Sequence, residues 1–219
     1  WQEKVSTWIR AGMLTSPKTH LANILGNTTM QGLESVKDIP AAVFDRLLSV
    51  KTGIRTKDLD VIASAKASLR GTLESGRAVT DALKGKKDIS AGLDGIRETQ
   101  YDSAIANLLT KGVFRSLAAA DEFFKSVSFA RSVDEQARVL AKAEKRVGED
   151  LARRIAELKA APTDEMAMRA GADAAIATFQ DNTWLSKGAI GLRTWAGLPG
   201  ELLLPFAKTP ANIATRIAE

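Results

Sequence analysis

The chain of 219 residues contains no cysteine and a single histidine, His20. The first absence excludes disulfide frameworks, thiolate zinc sites and thiol nucleophiles. The second excludes multi-histidine metal clusters and the paired Glu-x-x-His units of di-metal carboxylate bundles. Aromatic residues make up only 5%, with Tyr101 the sole tyrosine, so stacking platforms for bases or sugars are scarce. No apolar run of signal-peptide length follows Lys4, because Ser6, Thr7 and Arg10 intervene. The most apolar stretch, Gly188 to Phe206, holds four glycines and Pro199 as well as Arg193 and Glu201, and is too interrupted for a spanning helix of about 20 residues. A G-x-S-x-G nucleophile elbow is missing. Gly85-Lys86 fails as a phosphate loop, since Thr80 stands where the first glycine belongs and Lys87 where Ser or Thr should follow.

Charge is present but dispersed. The formal net charge is +5, yet residues 1–100 carry 15 basic and 11 acidic side chains and residues 101–219 carry 16 and 15. The local cluster Lys84, Lys86 and Lys87 has no interleaved aromatics, and reads as a solvated helix end rather than a nucleic-acid footprint. Acidic doublets occur at Asp121-Glu122, Asp134-Glu135 and Glu149-Asp150. Neighbours on a helix diverge by about 100°, so such doublets do not converge on one substrate bond. The spacings Asp121–Lys125 and Asp134–Arg138 read as surface pairs that stabilise a helix.

Alanine makes up about a sixth of the chain and alternating β-branched runs are missing, which predicts an all-α protein. A first helix is expected over Gln2 to Gly12. Ser16 and Pro17 then form a start signal, cap followed by first-turn proline, for a helix lined by Leu21, Ile24, Leu25 and Leu33. Pro40 opens a third, with Val43, Phe44, Leu47 and Leu48 apolar and Gly53 as its stop. Thr56 is the expected cap of the next, with Asp58 and Asp60 favourably placed at its start. Its apolar stripe runs Leu59, Ile62, Ala63, Leu69, Leu73, Gly76, Val79, Leu83, and it ends at Gly85. Residues 86–96 are loop-like and mark a weak internal boundary in what is otherwise a single helical module, 1–219. The longest periodic segment runs Val113, Leu117, Ala120, Phe124, Val127, Ala130, Val133, Ala137, Leu140 and continues through Leu151, Ile155 and Leu158. Its mean spacing is close to a heptad seam. The expected architecture is thus a multi-helix bundle with one long helix, about residues 113–160, and shorter helices packed on it. Ala161-Pro162 stops the rod, Thr163 caps a helix to about Gln180, and Thr209-Pro210 starts a short final helix.

Few residues are candidates for chemistry. His20 stands in the first turns of its helix with Asn23 and Asn27 one and two turns on, and reads as a capping or packing residue, since nothing in the sequence supplies a triad around it. Glu34-Ser35 and Glu74-Ser75 match the catalytic dipeptide of lysozyme-like transglycosylases, but the other features of that family are missing. No catalytic, cofactor-binding or metal residue is assigned. Trp184, Gly188, Gly191 and Trp195 fall on one helical stripe. That stripe is either a close helix crossing inside the domain or, with Phe206, a face that meets a partner or a membrane.

Three segments carry a family resemblance. They are Arg10-Ala-Gly-Met-Leu-Thr-Ser-Pro-Lys-Thr-His-Leu-Ala-Asn-Ile-Leu-Gly-Asn27, Ala120-Asp-Glu-Phe-Phe-Lys125 and Leu203-Leu-Pro-Phe-Ala-Lys-Thr-Pro-Ala-Asn-Ile213. In this order they resemble helical modules of the very large polyvalent and internal virion proteins of tailed phages. The resemblance implies a non-enzymatic structural or interaction module, packaged with phage DNA and ejected into the host, with enzymatic domains elsewhere in the parent chain. It implies a place in the virion interior and then in the host envelope or cytoplasm, and partners among other virion proteins or further copies of itself. It brings no cofactor and no catalytic residue. The motif residues Ser16, Pro17, His20, Asn23, Asn27, Asp121, Phe123, Phe124, Pro205, Thr209, Pro210 and Asn212 are read as caps, turns and packing groups, with Phe206 anchoring the loop between the two prolines. Trp1 in place of an initiating methionine fits a module excised from a longer protein. Two alternatives stand beside this expectation: a membrane-active segment helping to form a conduit through the host envelope, and a DNA-packing module.

Overall fold

The computed structural model describes residues 2–16, 18, 20, 24–29, 31, 44, 45, 47–50, 60–86, 101, 103–204 and 206–218. The fold is all-α, a multi-helix bundle, and no strand occurs among the described residues. The bounded helices are α1 (Gln2–Leu14), α2 (Val61–Leu83), α3 (Ala104–Ala143), α4 (Gly148–Ala160), α5 (Asp164–Ala177), α6 (Trp184–Leu203) and α7 (Lys208–Ala218). Residues 24–29 and 47–50 are also helical. Ile24, Leu25, Phe44, Leu47 and Leu48, expected on inner faces, are exposed. Pro40, Gly53, Thr56, Asp58 and, apart from Lys86, the loop-like residues 86–96 lie outside the described residues.

The long helix is present with different bounds. At 40 residues, α3 reaches about 60 Å, but it begins earlier than expected and does not run on to 160. Lys145 and Gly148 take positive φ values of 57° and 58°, a left-handed turn that no continuous helix accommodates. The chain restarts as α4 after Val147, whose backbone is extended. At Gly85 and Thr163 the stop and start signals act as read. Gly85 (φ 69°) ends α2 in a Schellman turn, with Lys86 N–H donating to the Asp81 carbonyl at 2.9 Å and Gly85 N–H to that of Ala82 at 3.0 Å. Thr163 Oγ1 accepts from Met166 N–H at 3.3 Å. At the start of α2, Asp60 is the cap, its Oδ1 accepting from Ala63 N–H at 2.9 Å. That bond is the main reason the Asp60 carboxyl lies below its usual range.

The chain divides into two compact units, one of residues 1–27, 76–123 and 178–219, the other of 28–75 and 124–177. In the first, Ala11 and Leu14 of α1, Ala82 of α2, and Phe114, Leu117, Ala118 and Ala119 of α3 form the core, with Val79, Val113 and Phe206 packed against it. Helix α6 packs on α1 and α7. Tyr101 ties in the α1 end: its hydroxyl donates to the Lys4 carbonyl at 2.7 Å and its ring meets Trp8 edge-on at 6.1 Å.

In the second unit, Val133, Ala137 and Ala141 of α3 meet Leu158 of α4 and Met166 and Ala170 of α5, bordered by Phe129, Leu151 and Ile155. Gly71 lets α2 approach α3 closely: a Cβ there would lie 2.7 Å from Val127 Cα and 2.8 Å from the Ser126 carbonyl oxygen. Polar ties reinforce the apolar ones. Ser132 Oγ donates to Asp173 at 2.5 Å, Gln136 reaches the Met166 carbonyl at 3.2 Å, and Arg131 Nε donates to Ser64 at 3.2 Å. The Asp134–Arg138 pair, expected at the surface, is buried, and Lys159 joins it on the Asp134 carboxylate. Removing one cation from such a site is costly because it leaves charge in a dry interior.

Candidate functional site

The motif residues divide by position. Asn212 is fully buried in the first unit. Its Nδ2 donates to the carbonyls of Phe179 and Asp181, both at 2.7 Å, and its Oδ1 accepts from Thr183 Oγ1 at 2.7 Å. One amide therefore clasps the whole turn between α5 and α6. The turn needs holding, because Phe179 sits at φ 56°, a region costly for an aromatic residue. Thr183 meanwhile caps α6 by accepting from Ser186 N–H at 3.1 Å. The spacing had suggested Asn212 as a helix-end residue, but a residue some thirty positions upstream is beyond what sequence spacing can supply.

Asp121 is buried and accepts from Gln180 Nε2 at 2.6 Å, which corrects its reading as a surface pair. Phe206 is half-buried and packs against the first core, whereas the two tryptophans are exposed. Thr209 and Pro210 lie exposed in the first turn of α7, which begins at Lys208. The Ser16 carbonyl accepts from His20 N–H at 3.4 Å, consistent with a helix start, and His20 is half-buried. Asn27 is buried; Phe124 is buried and Phe123 half-buried. Pro17, Asn23 and Pro205 lie outside the described residues.

Among the described residues, no three His, Asp or Glu side chains gather to hold a metal ion. A groove of about 490 Å³ in the second unit is lined by Arg70, Glu74, Ala152, Ile155, Ala156, Lys159 and Ala160. Its charges are already engaged: Arg70 Nε donates to Glu74 at 2.6 Å, and Lys159 pairs with Asp134. Glu74 is therefore an exposed ion-pair partner, and Ser75 is buried with its hydroxyl donating to the Thr72 carbonyl at 2.7 Å; Glu34-Ser35 lies outside the described residues.

The tryptophan stripe is where the structure decides between readings. Trp184 is 78% and Trp195 86% exposed, and among the described residues nothing lies within 4 Å of a Cβ built on Gly188 or Gly191. The stripe is thus not a close crossing inside the domain; it is an open face. The side of α6 turned inward carries Ser186 and Arg193, 0% and 5% exposed. No known protein family, curated protein or solved structure matches this chain. What the described residues of α6 present is an open surface. No described helix is long and apolar enough to cross a membrane.

Inside and outside are also unusually apportioned. Of the 21 buried apolar residues among those described, 12 are alanine. Large apolar side chains stand outside instead: Ile62, Leu69, Leu73 and Leu83 on α2, Ile105, Leu108 and Leu109 on α3, and Trp184, Leu192, Trp195 and Leu203 on α6 are all exposed. Sequence periodicity had marked the α2 leucines as core.

Proposed function

We propose that this chain is a non-enzymatic structural and interaction module of a giant phage-type protein, polyvalent or internal virion, carried in the particle and delivered to the host with the DNA. The observation that carries the interaction role is the apportionment of apolar side chains. Large exposed apolar surface on a folded chain marks sites that other molecules cover, and here three helices each carry three or more exposed large apolar side chains. The polar motif residues Asn212 and Asp121 support the same role, since both are engaged in hydrogen bonds within the chain. The phage assignment rests on the resemblance of the three segments quoted above, and the location in virion and host envelope or cytoplasm comes with it.

The test has two arms. The folded chain, incubated with peptidoglycan and with nucleic acid, is expected to give no turnover. Hydrolase or transferase activity that disappears on His20→Ala or Glu74→Gln, with the circular dichroism spectrum unchanged, overturns the non-enzymatic reading. The chain is also expected in purified particles of a phage that encodes it; its presence in infected cells but not in particles overturns the virion assignment.

A further inference from the structure

The outward face of α6 has a regularity that folding of this chain does not require. Trp184, Gly188, Gly191 and Trp195 read the same in both directions from the midpoint between Ala189 and Ile190. The two indoles stand about 16 Å apart along the axis, at 1.5 Å per residue, with bare backbone between them. The straight part of the helix has the same extent as this pattern, because Gly197 leaves helical geometry at φ 60°, ψ −138° and Pro199 follows. Burying Arg193 and Ser186 while turning two indoles and Leu192 outward runs against the ordinary partition of these side chains. The outward face is therefore one that something else must cover.

We infer that a second copy of this chain covers it, the two α6 helices crossing at Gly188 and Gly191 about a two-fold axis. The inference rests on the interaction-module reading and names the partner of one of its faces. A two-fold interface needs one patch that is complementary to itself, and a tryptophan–glycine–glycine–tryptophan pattern symmetric about its midpoint meets that condition. A helix is about 10–12 Å across with its side chains, so each copy fits between the indoles of the other, and the glycines let the two backbones approach. The area is sufficient. Each tryptophan buries about 150–250 Å²; four indoles, two Leu192 side chains and the glycine backbone together reach about 1,000 Å², where specific association begins. Charge allows it as well, since the sequence from Thr183 to Gly200 has no carboxylate. Lys187, the exposed cation on this stretch, lies beside the stripe, where its stem can cover apolar surface while the ammonium stays in water.

The chain lacks cysteine, so one introduced thiol is unique. In sedimentation equilibrium the full chain is expected to dimerise, with Trp184→Ser/Trp195→Ser weakening association at least about tenfold, as loss of central tryptophans does. Both positions are exposed, so the circular dichroism spectrum of the variant should match that of the parent. Under mild oxidation, Gly188→Cys and Gly191→Cys should each form a disulfide-linked dimer well before Leu203→Cys, which is 81% exposed but beyond the kink. A chain that stays monomeric, or a dimer that cross-links no better at 188 and 191 than at 203, overturns the proposal. So does a monomer whose indole emission shifts to the blue on phosphatidylglycerol vesicles, which assigns the face to lipid. Each of these outcomes leaves the module reading standing, whereas enzymatic turnover would remove that reading without touching the dimer.

Discussion

Asn212 illustrates how much one buried amide can hold. Its three hydrogen bonds fix Phe179, Asp181 and Thr183, and two of its acceptors are backbone carbonyls that have been taken out of water. Asn212→Ala removes the donor and leaves those groups to find other partners inside the protein, at about 1–3 kcal/mol for each buried group left unsatisfied. We expect a loss of about 2–4 kcal/mol in urea unfolding, on the same basis. A loss below about 1 kcal/mol, the size of an ordinary exposed hydrogen bond, would show that the turn at Phe179 is held by something else. The asparagine itself was legible as a polar helix-end residue, because Thr-Pro-x-Asn has the look of a helix start. Its partners were not, because the turn it clasps belongs to a different part of the sequence.

Among the elements, α2 and α3 make an instructive pair. In α3 most of the expected apolar seam faces inward, with Leu117, Phe124, Val127, Val133 and Ala137 buried, although Leu140 near its end is exposed. In α2 the equally regular leucines face out. Periodicity reveals that a stripe exists but not which side of the helix is inside. What decides is close approach: Gly71 admits the backbone of Val127 and Ser126, and the buried line Ala67, Gly71, Ser75, Ala82 is small, so the leucines are left on the far side. Two glycines of this one helix should accordingly respond in opposite senses. Gly71→Ala must displace α3 backbone and should cost about 1–3 kcal/mol by overpacking. Gly76→Ala meets nothing within 4 Å among the described residues and should gain about 0.5–1 kcal/mol, the helix-interior penalty of glycine. Thermal unfolding of both variants checks this, and equal shifts would contradict the close-approach argument.

The α3–α4 junction was read as continuous helix, and its break brings a small charge network with it. Glu144 accepts from Arg154 Nη2 at 3.0 Å and from Arg146 Nε at 2.6 Å, and Arg146 also donates to Asp150 at 2.8 Å. Arg154, then Arg146, holds the Glu144 carboxyl below its usual range, and Arg146 chiefly does so for Asp150. Groups whose folded values are depressed contribute stability above the ordinary carboxylate range and lose it as pH falls through the lowered values. The melting temperature should therefore decline between about pH 4 and pH 2, and Glu144→Gln should flatten part of that decline. An unchanged profile in the variant would show that these solvent-exposed pairs are screened into insignificance.

Taken whole, the molecule keeps small residues in and many large ones out. Ala137 and Ala141 are fully buried, and there is little room for more. Ala137→Leu is expected to destabilise by about 1–3 kcal/mol through overpacking, whereas Leu73→Ala, on the exposed face of α2, should change stability by less than about 0.5 kcal/mol. Chemical denaturation measures both, and a large loss at Leu73 would mean that its face is covered within the chain. The all-α class and the long helix were legible from composition and spacing. The outward placement of the large side chains was not, since it follows from how closely the backbones approach.

An alanine-rich interior also sets how the protein responds to temperature. The heat capacity of unfolding comes from apolar surface newly wetted when the chain opens. Here 12 of the 21 buried apolar residues among those described are alanines, each hiding little more than a methyl group, while many larger side chains are wet already. Calorimetry of the monomeric chain should give less than the usual increment of about 12–15 cal/mol/K per residue. A smaller increment bends the free-energy curve less, so the dome of stability against temperature is flatter.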